Sequence, residues 1–591
     1  METAKVIINN QFIEVPTSYT VLDAAKKLGI DIPHLCFLRG INENSSCRLC
    51  VVEIKGIRSL KNSCTVKVSD GMVVTTNSER VNKAVKRNLE LIAANHVFEC
   101  WRCPREHNCE LLRLLRKYNI NNAMGENPDF SKKTHIVNIT DSIVLDNSKC
   151  ILCGRCIAAC EKMAGTSVLD YNYRGFNVYV GPARNHSMED AGCIYCGKCI
   201  QACPTGAIKE RDNIDEVVSV ISNPNVYKVV QIAPSVRAAI GEEFGYPIGT
   251  NVEGKLYAAL QKLGFDDVTD TNFAADVTIL EEGTELIERL EAHLNKDEST
   301  LPLFTSCSPG WIRYIETYYP EFIPNLSSCK SPQQMQGAII KAYYSKKLNI
   351  DPNKIQVVSV MPCIAKKAEA KRPEMEYNGV RDVDVVITTR ELARLIKRFD
   401  IPFAALADYE PTSPLAKYTG AGVIFGATGG VMEAALRSVK EILEKKDMGK
   451  VEIEPVRGVE DGIKEATLNI AGLNLCVAIV HGAANIPEMM KRIKENPGKY
   501  AFVEFMACTG GCVNGGGQPI VPSYISNDID VRLERGKALY KADTDATLRK
   551  SHQNPEVAKL YQEMLERPGS HVAHEMLHTH YHKRTIYNGE K

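Results

Sequence analysis

Apolar and polar positions alternate along residues 1–78, in runs such as KVIINNQFIEV and GMVVTT, around one helical stretch near 21–28. A period of two predicts short strands with one buried face. Residues 79–118 (VNKAVKRNLELIAANH and onward) change to a helical pattern. From about residue 222 the texture is α/β. Apolar runs at 227–233, 277–280, 301–304, 355–360, 385–387, 475–480 and 502–505 predict strands or strand cores. LIERLEAHL and GGVMEAALRSVKEIL read as helices between them, and this alternation argues for largely parallel sheets. The last 65 or so residues read as surface helices ending in SHVAHEMLHTHYHK, with solvated histidines favoured over a metal site.

At 591 residues the chain is too long for one core, so several domains are expected. Lys+Arg and Asp+Glu balance at 72 each, which argues against nucleic acid or a membrane surface as a partner. No apolar run approaches the roughly 18 residues that span a bilayer. The opening METAKVIINNQF has no basic n-region and no apolar h-region, so a cytoplasmic location is expected. There, 21 cysteines are poorly explained by disulfides and well explained by metal. Fifteen of them fall in the first 203 residues and only six in the other 388.

Cys36, Cys47, Cys50 and Cys64 lie between the short strands with spacing C-x10-C-x2-C-x13-C. Apart from its first gap this is similar to a plant-type ferredoxin, and we read a [2Fe–2S] site, with a zinc ribbon as the alternative. The helical stretch ends in His96-x3-Cys100-x2-Cys103-x5-Cys109, with His107 inside the same loop. Zinc accepts such a set, but its place between two iron–sulfur blocks favours a cubane. Cys150, Cys153, Cys156 and Cys160, then Cys193, Cys196, Cys199 and Cys203 before Pro204, form the bacterial two-cluster ferredoxin run, given twice. In that arrangement the fourth cysteine of each run serves the other cluster. Cys150, Cys153, Cys156 and Cys203 are therefore expected around one [4Fe–4S] cubane, and Cys193, Cys196, Cys199 and Cys160 around a second.

Three of the later cysteine segments follow predicted strand ends: FTSCSPGW, SVMPCIAKK and EFMACTGGCVNGGGQP. Ligands of open α/β sheets gather at the carboxyl ends of strands, so Cys307, Cys363, Cys508 and Cys512 can converge. Glycines around the last two allow close backbone approach to a bulky group. Gly429-Gly430 hints at a phosphate loop, but no G-x-x-x-x-G-K-[ST] exists. Cys476 sits in an apolar strand and reads as core.

At these segments the sequence resembles the catalytic subunit of [FeFe]-hydrogenases. Residues 305–311, 361–367 and 504–519 match that family's three signature motifs, and the N-terminal domains match its five-cluster members. The likeness is closest to subunits of NAD(P)-linked, often electron-bifurcating, complexes. The resemblance implies a multidomain α+β and α/β protein: a [2Fe–2S] ferredoxin-like β-domain (1–78), a His/Cys3 [4Fe–4S] domain (79–118), a two-cluster ferredoxin-like domain (139–209), a large α/β H-cluster domain (222–525) and a small-subunit-like helical tail (526–591). It selects His96 as the histidine ligand. It implies one [2Fe–2S] cluster, three [4Fe–4S] clusters and an H-cluster, a cubane joined to a two-iron unit with CO, cyanide and a bridging dithiolate amine. Cys512 would bridge, with Cys363 and Cys508 on the cubane. Lys366 would donate to a cyanide and the turn at Pro234 and Ser235 would add a polar contact, while Gln333, Met361, Phe425 and Met506 would wall the two-iron unit. The reaction would be reversible interconversion of dihydrogen with protons and electrons, the protons moving along Cys307, Glu282, Ser327, Glu285 and Arg289. Electrons would pass to ferredoxin or to partner subunits binding NAD(P)H and flavin.

One departure bears on the chemistry. The family's first motif usually reads Thr-Ser-Cys-Cys-Pro, and here it is Thr305-Ser306-Cys307-Ser308-Pro309. Ungapped register puts Cys307 at the relay position and Ser308 at the ligand position. A serine alcohol is a poor iron–sulfur ligand beside a thiolate, so Cys307 is expected to ligate the cubane with the relay altered. Cys329 offers another thiol. Three rival readings remain: a pure electron relay, an iron–sulfur scaffold protein, and a hydrogen sensor.

Overall fold

Strand Thr3–Ile8 pairs antiparallel with Gln11–Pro16 and parallel with Met72–Thr75 in the computed structural model, which describes residues 2–120, 137–295, 300–447, 449, 452–458 and 462–587. Ala4, Val6 and Ile8 point inward, as the period-two reading requires. Helix Val21–Lys27 starts at a capping box between Thr20 and Asp23. Helix Glu79–Ala93 then buries Val81, Val85 and Leu89 against Leu111 and Leu114 of helix Glu110–Lys117. In the two-cluster segment, helices Arg155–Lys162 and Lys198–Ala202 pack beside strands Ile143–Asp146 and Ile208–Glu210.

These N-terminal units meet the rest of the chain through several contacts, among them the buried Arg390–Glu210 pair and a cluster built on Arg155. Arg155 donates to Glu110 at 2.9 and 3.1 Å, to the Phe37 carbonyl at 2.8 Å and to the Ser523 hydroxyl at 2.8 Å. Four segments from separate parts of the sequence thus share one guanidinium, whose side chain is 1 % exposed.

The large domain contains two four-stranded sheets. The first runs Asp267–Asp270, Tyr227–Ile232, Ile355–Met361, Val385–Thr388 and is wholly parallel. Its central strands are buried on both faces, which explains their continuous apolar runs. The second runs Leu303–Phe304, Phe502–Met506, Leu473–His481, Gly462–Ile470, parallel except for the last strand. Phe502 faces one core, and Val503 and Phe505 the other.

Two expectations change. Residues 277–280 are not a strand core but part of helix Thr271–Leu294, capped by Asp270. Phe273, Ala274 and Val277 pack into the first sheet's core, while Ala275, Ile279, Leu286 and Leu290 pack into the second's. A helix buried between two cores shows an apolar run that periodicity alone does not separate from a strand. The tail, read as surface helices, is docked as well: Arg535, Asp543, Leu565 and Leu577 are buried, and so is most of His578, whereas His571, His574, His580 and His582 are exposed. Among the described residues no helix is long and apolar enough to cross a membrane.

Candidate active site and its cluster sites

The carboxyl ends of both sheets open on one cavity of about 80 Å³. Pro234 follows strand Tyr227–Ile232, and Met361 and Cys363 end the strand beside it; Cys307 and Ser308 follow Leu303–Phe304, and Met506 and Cys508 end Phe502–Met506. Cys512 enters from the turn Cys512–Asn514. The glycines have steric reasons. A Cβ on Gly511 would stand 2.6 Å from the Thr428 nitrogen, and one on Gly516 would stand 2.5 Å from the Cys196 carbonyl oxygen.

Burial pushes the Cys363 and Cys512 thiols up to about 12, with Cys508 beside both adding to the rise. Crowded buried thiols resist ionising unless a positive centre compensates them, and coordinated metal does this by deprotonating the thiol outright. The donor set therefore fits an iron–sulfur group. Cys329 stays outside, packed in the first sheet's core.

The cavity wall is apolar apart from a few anchored groups. Met361, Met506 and Phe425 line it. Lys366 Nζ donates to Glu369 at 2.9 and 3.1 Å and to the Cys307 carbonyl at 3.2 Å. Glu369 also accepts from Ser331 and Gln333, at 2.9 and 3.1 Å, and Gln333 accepts the Ser359 hydroxyl at 3.0 Å. Ser235 lies behind Pro234 rather than on the cavity surface, its hydroxyl and carbonyl accepting from Gln518 at 3.2 and 3.0 Å.

On the far side of Cys307 lies a line of polar groups. Cys307 has Glu282 as its foremost charged neighbour, followed by Glu504, Lys366 and Cys512. Glu282 is 1 % exposed and neither carboxylate oxygen has a hydrogen-bond partner; burial first, then Glu285, pushes it up to about 8. Ser327 donates to Glu285 Oε2 at 2.9 Å, and Arg289 donates to Glu285 Oε1 at 2.6 Å and to the Leu326 carbonyl at 2.9 Å. Helix Thr271–Leu294 carries Glu282, Glu285 and Arg289 at spacings of three and four, which sets them along one face.

Comparison with known proteins decides the family. Residues 226–516 match the model described as iron only hydrogenase large subunit, C-terminal domain, and residues 529–584 match the iron hydrogenase small subunit. Residues 2–79 match a 2Fe-2S iron-sulfur cluster binding domain, residues 86–123 the NADH-ubiquinone oxidoreductase-G iron-sulfur binding region, and residues 128–207 a 4Fe-4S dicluster domain. The NADP-reducing hydrogenase subunit HndD of Solidesulfovibrio fructosivorans is 45% identical over 590 residues, 99% of this chain and 100% of that one. Iron hydrogenase 1 of Clostridium pasteurianum is 44% identical over 98% of this chain and 100% of its own length. A solved variant of [FeFe]-hydrogenase HydA1 from Chlamydomonas reinhardtii aligns with a TM-score of 0.56 and 38% identity, over 64% of this chain and all of that one. The chain belongs to the iron-only hydrogenase family.

This hydrogenase interconverts dihydrogen with protons and electrons, and iron–sulfur domains ahead of the catalytic domain relay the electrons. Several of its N-terminal cysteines lie side by side. Cys36 and Cys47 are neighbours, and Cys50 Sγ lies 3.2 Å from Cys64 Sγ. Cys150, Cys153, Cys156 and Cys203 line one small cavity, as the crossed pattern requires. Cys193, Cys196 and Cys199 have Cys160 among their charged neighbours. Cys103 neighbours both Cys100 and Cys109. His96 is buried with Nδ1 3.1 Å from the Lys149 carbonyl, whereas His107 is exposed.

The cluster sites also touch in sequence. Asn42 donates to the Cys36 and Cys153 carbonyls, at 2.8 and 3.1 Å, and Arg105 donates to the Cys203 carbonyl at 2.9 Å. Cys196 lines the catalytic cavity itself.

Two contributing residues escaped sequence reasoning. Glu504 is fully buried and accepts the Gly429 and Met432 amides at 2.6 and 2.7 Å. The supposed phosphate loop thus holds an internal carboxylate, pushed by burial up to about 7. Glu369 anchors Lys366, and the only signal for it was a spacing of three.

Proposed function

We propose that the hydrogenase holds one [2Fe–2S] cluster on Cys36, Cys47, Cys50 and Cys64, and a [4Fe–4S] cluster on His96, Cys100, Cys103 and Cys109. Two more cubanes would sit on the crossed ferredoxin sets, and Cys363, Cys508 and Cys512 would hold the H-cluster. When bound, the H-cluster supplies the iron and the basic amine that make and break dihydrogen. Lys366, braced by Glu369, orients a cyanide, while Met361, Met506 and Phe425 keep water out. Cys307 hands protons to Glu282, and Ser327, Glu285 and Arg289 continue the line. Near neutral pH, Glu282 has a value about 8 suited to both taking and giving a proton.

One observation carries the reading. Cys363, Cys508 and Cys512 share a cavity with Cys196 of the ferredoxin-like domain, while Cys307 in the same wall adjoins Glu282. Electrons and protons therefore reach the site from different sides. The Glu282 carboxyl beside Cys307 supports the relay role over the ligand role expected from the sequence, which would leave Ser308 as the fourth cubane ligand.

The chain is further proposed to be cytoplasmic and to pass electrons to a flavin- and NAD(P)-binding subunit or to ferredoxin. The relative named as an NADP-reducing hydrogenase subunit supports the first partner. The test is an infrared spectrum of anaerobically matured protein before and after dihydrogen. Bands of iron-bound CO and cyanide that shift under the gas are expected; none, with maturation verified on a known hydrogenase, would leave a relay or scaffold protein.

A further inference from the structure

Glu285 has a second polar neighbour besides the Arg289 exit. Its Oε2 accepts the Ser328 amide at 3.1 Å and faces the Ser328 hydroxyl at 3.5 Å. That hydroxyl lies 2.8 Å from Nδ1 of His578, on the far end of the chain. Nε2 of the same ring lies 3.1 Å from Oε2 of Glu281, which also accepts the Tyr561 hydroxyl at 2.6 Å and the Gly569 amide at 2.9 Å. The Glu281 side chain has no exposure and the imidazole only 6 %. One turn back on helix His571–Leu577, exposed His574 stands with its ring centroid 4.0 Å from that of His578.

A buried histidine most often only satisfies its neighbours. Here the pairing has a direction. A carboxylate accepts only, so Glu281 draws the hydrogen to Nε2 and leaves Nδ1 as an acceptor toward Ser328. The ring is thereby fixed in the tautomer that takes a proton from the Glu285 side.

We propose that Ser328 and His578 form a second proton exit branching from Glu285. The proposal rests on the reading of Glu282 and Glu285 as the proton line. A proton on Glu285 Oε2 passes to Ser328 Oγ while the serine's own hydrogen passes to His578 Nδ1. The serine stays neutral, Glu285 becomes a carboxylate and His578 an imidazolium, which returns to its resting tautomer by giving the Nδ1 proton to a solvent water. Proton uptake runs the same way in reverse. The titratable groups around the two rings are Glu281, Glu285 and Glu288 of the long helix, Cys329 opposite, and Tyr561.

The test compares His578→Gln and Ser328→Ala with the parent holoenzyme, by hydrogen uptake and evolution across pH with and without added imidazole. Iron content, infrared bands and melting temperature are read alongside. Glutamine keeps both hydrogen bonds but does not titrate. We expect about tenfold slower turnover, less than the roughly hundredfold or more of a sole proton-transfer group, because the Arg289 exit remains. The pH profile should change shape, with recovery on adding imidazole. Ser328→Ala should show the same loss with the Glu281–His578 pair intact, and decides the matter alone if the glutamine variant does not fold. Parental rates and profiles in both, with clusters intact, would assign all proton traffic to Arg289. If the parent's infrared bands are missing, or Glu282→Gln turns over normally, the proton line fails first and the branch falls with it.

Discussion

The Cys508 thiol lies 3.9 Å from the backbone carbonyl of Cys196, across 312 residues of sequence. Gly516 closes the same seam, with its α-carbon side pressed on the Cys196 carbonyl and on the Gly197 backbone. A methyl group at Gly516 has no room, and overpacking of this kind costs about 1–3 kcal/mol. Gly516→Ala should loosen the ferredoxin-like domain from the catalytic cavity. Under dihydrogen, paramagnetic resonance of the relay clusters should show slower reduction than in the parent, while the active-site infrared bands stay unchanged. Equal reduction rates would mean the seam relaxes without cost to electron transfer.

Glu282 should be needed for turnover and costly for stability. Its folded value of about 8 lies above that of an exposed carboxyl, because burial disfavours the charge. The stability it contributes is therefore complete below the unfolded value and is lost as pH rises through about 8. Glu282→Gln should lower turnover by about a hundredfold. It should also melt higher than the parent at alkaline pH and equal it in acid. A melting curve that tracks the parent across pH would show the carboxyl is already ionised in the fold.

The Cys307–Ser308 pair separates proton relay from ligation. Cys307→Ala should retain a [4Fe–4S] signal in protein matured without the two-iron unit, yet lose about a hundredfold in turnover after full maturation. Ser308→Cys should raise cubane content by supplying a thiolate in place of an alcohol, the softer ligand iron prefers. Loss of the cubane in Cys307→Ala would instead make Cys307 a ligand.

The legibility of the chain followed from how local each signal was. Ligand sets that recur at tight spacing, such as Cys150 to Cys160, were readable because two or three residues fix the loop around one cluster. The parallel strands at 355–360 and 385–387 were readable because burial on both faces demands continuous apolar residues. Asp267–Asp270 was missed because a strand reading DVTD has no apolar run. Strand Gly462–Ile470 was missed because it is an edge strand with only two of its nine residues buried. Glu504, Glu281 and His578 carry no local signal, since their partners lie far away in sequence. Only packing converts a tail histidine into part of a hydrogen-bonded chain.

The Arg155–Glu110 pair should control docking of all the electron-carrying domains. Arg155 beside it holds Glu110 at about 2 despite full burial, with Ser523 adding two hydrogen bonds at 3.1 and 2.6 Å. Removing one partner of a buried pair leaves an uncompensated charge and costs about 3–5 kcal/mol. Arg155→Met should therefore destabilise the junction far more than the catalytic core. Glu110→Gln should be milder, because it leaves a hydrogen-bonding side chain against the guanidinium. The sign with pH is set by the depressed carboxyl: its contribution is present above the unfolded value and is lost as pH falls through about 2. Limited proteolysis at neutral pH is the measurement. Faster cleavage between the iron–sulfur domains and the catalytic domain in Arg155→Met, with active-site infrared bands retained, is the expected result. Equal cleavage rates in the variant and the parent would place the docking energy in the surrounding apolar contacts instead.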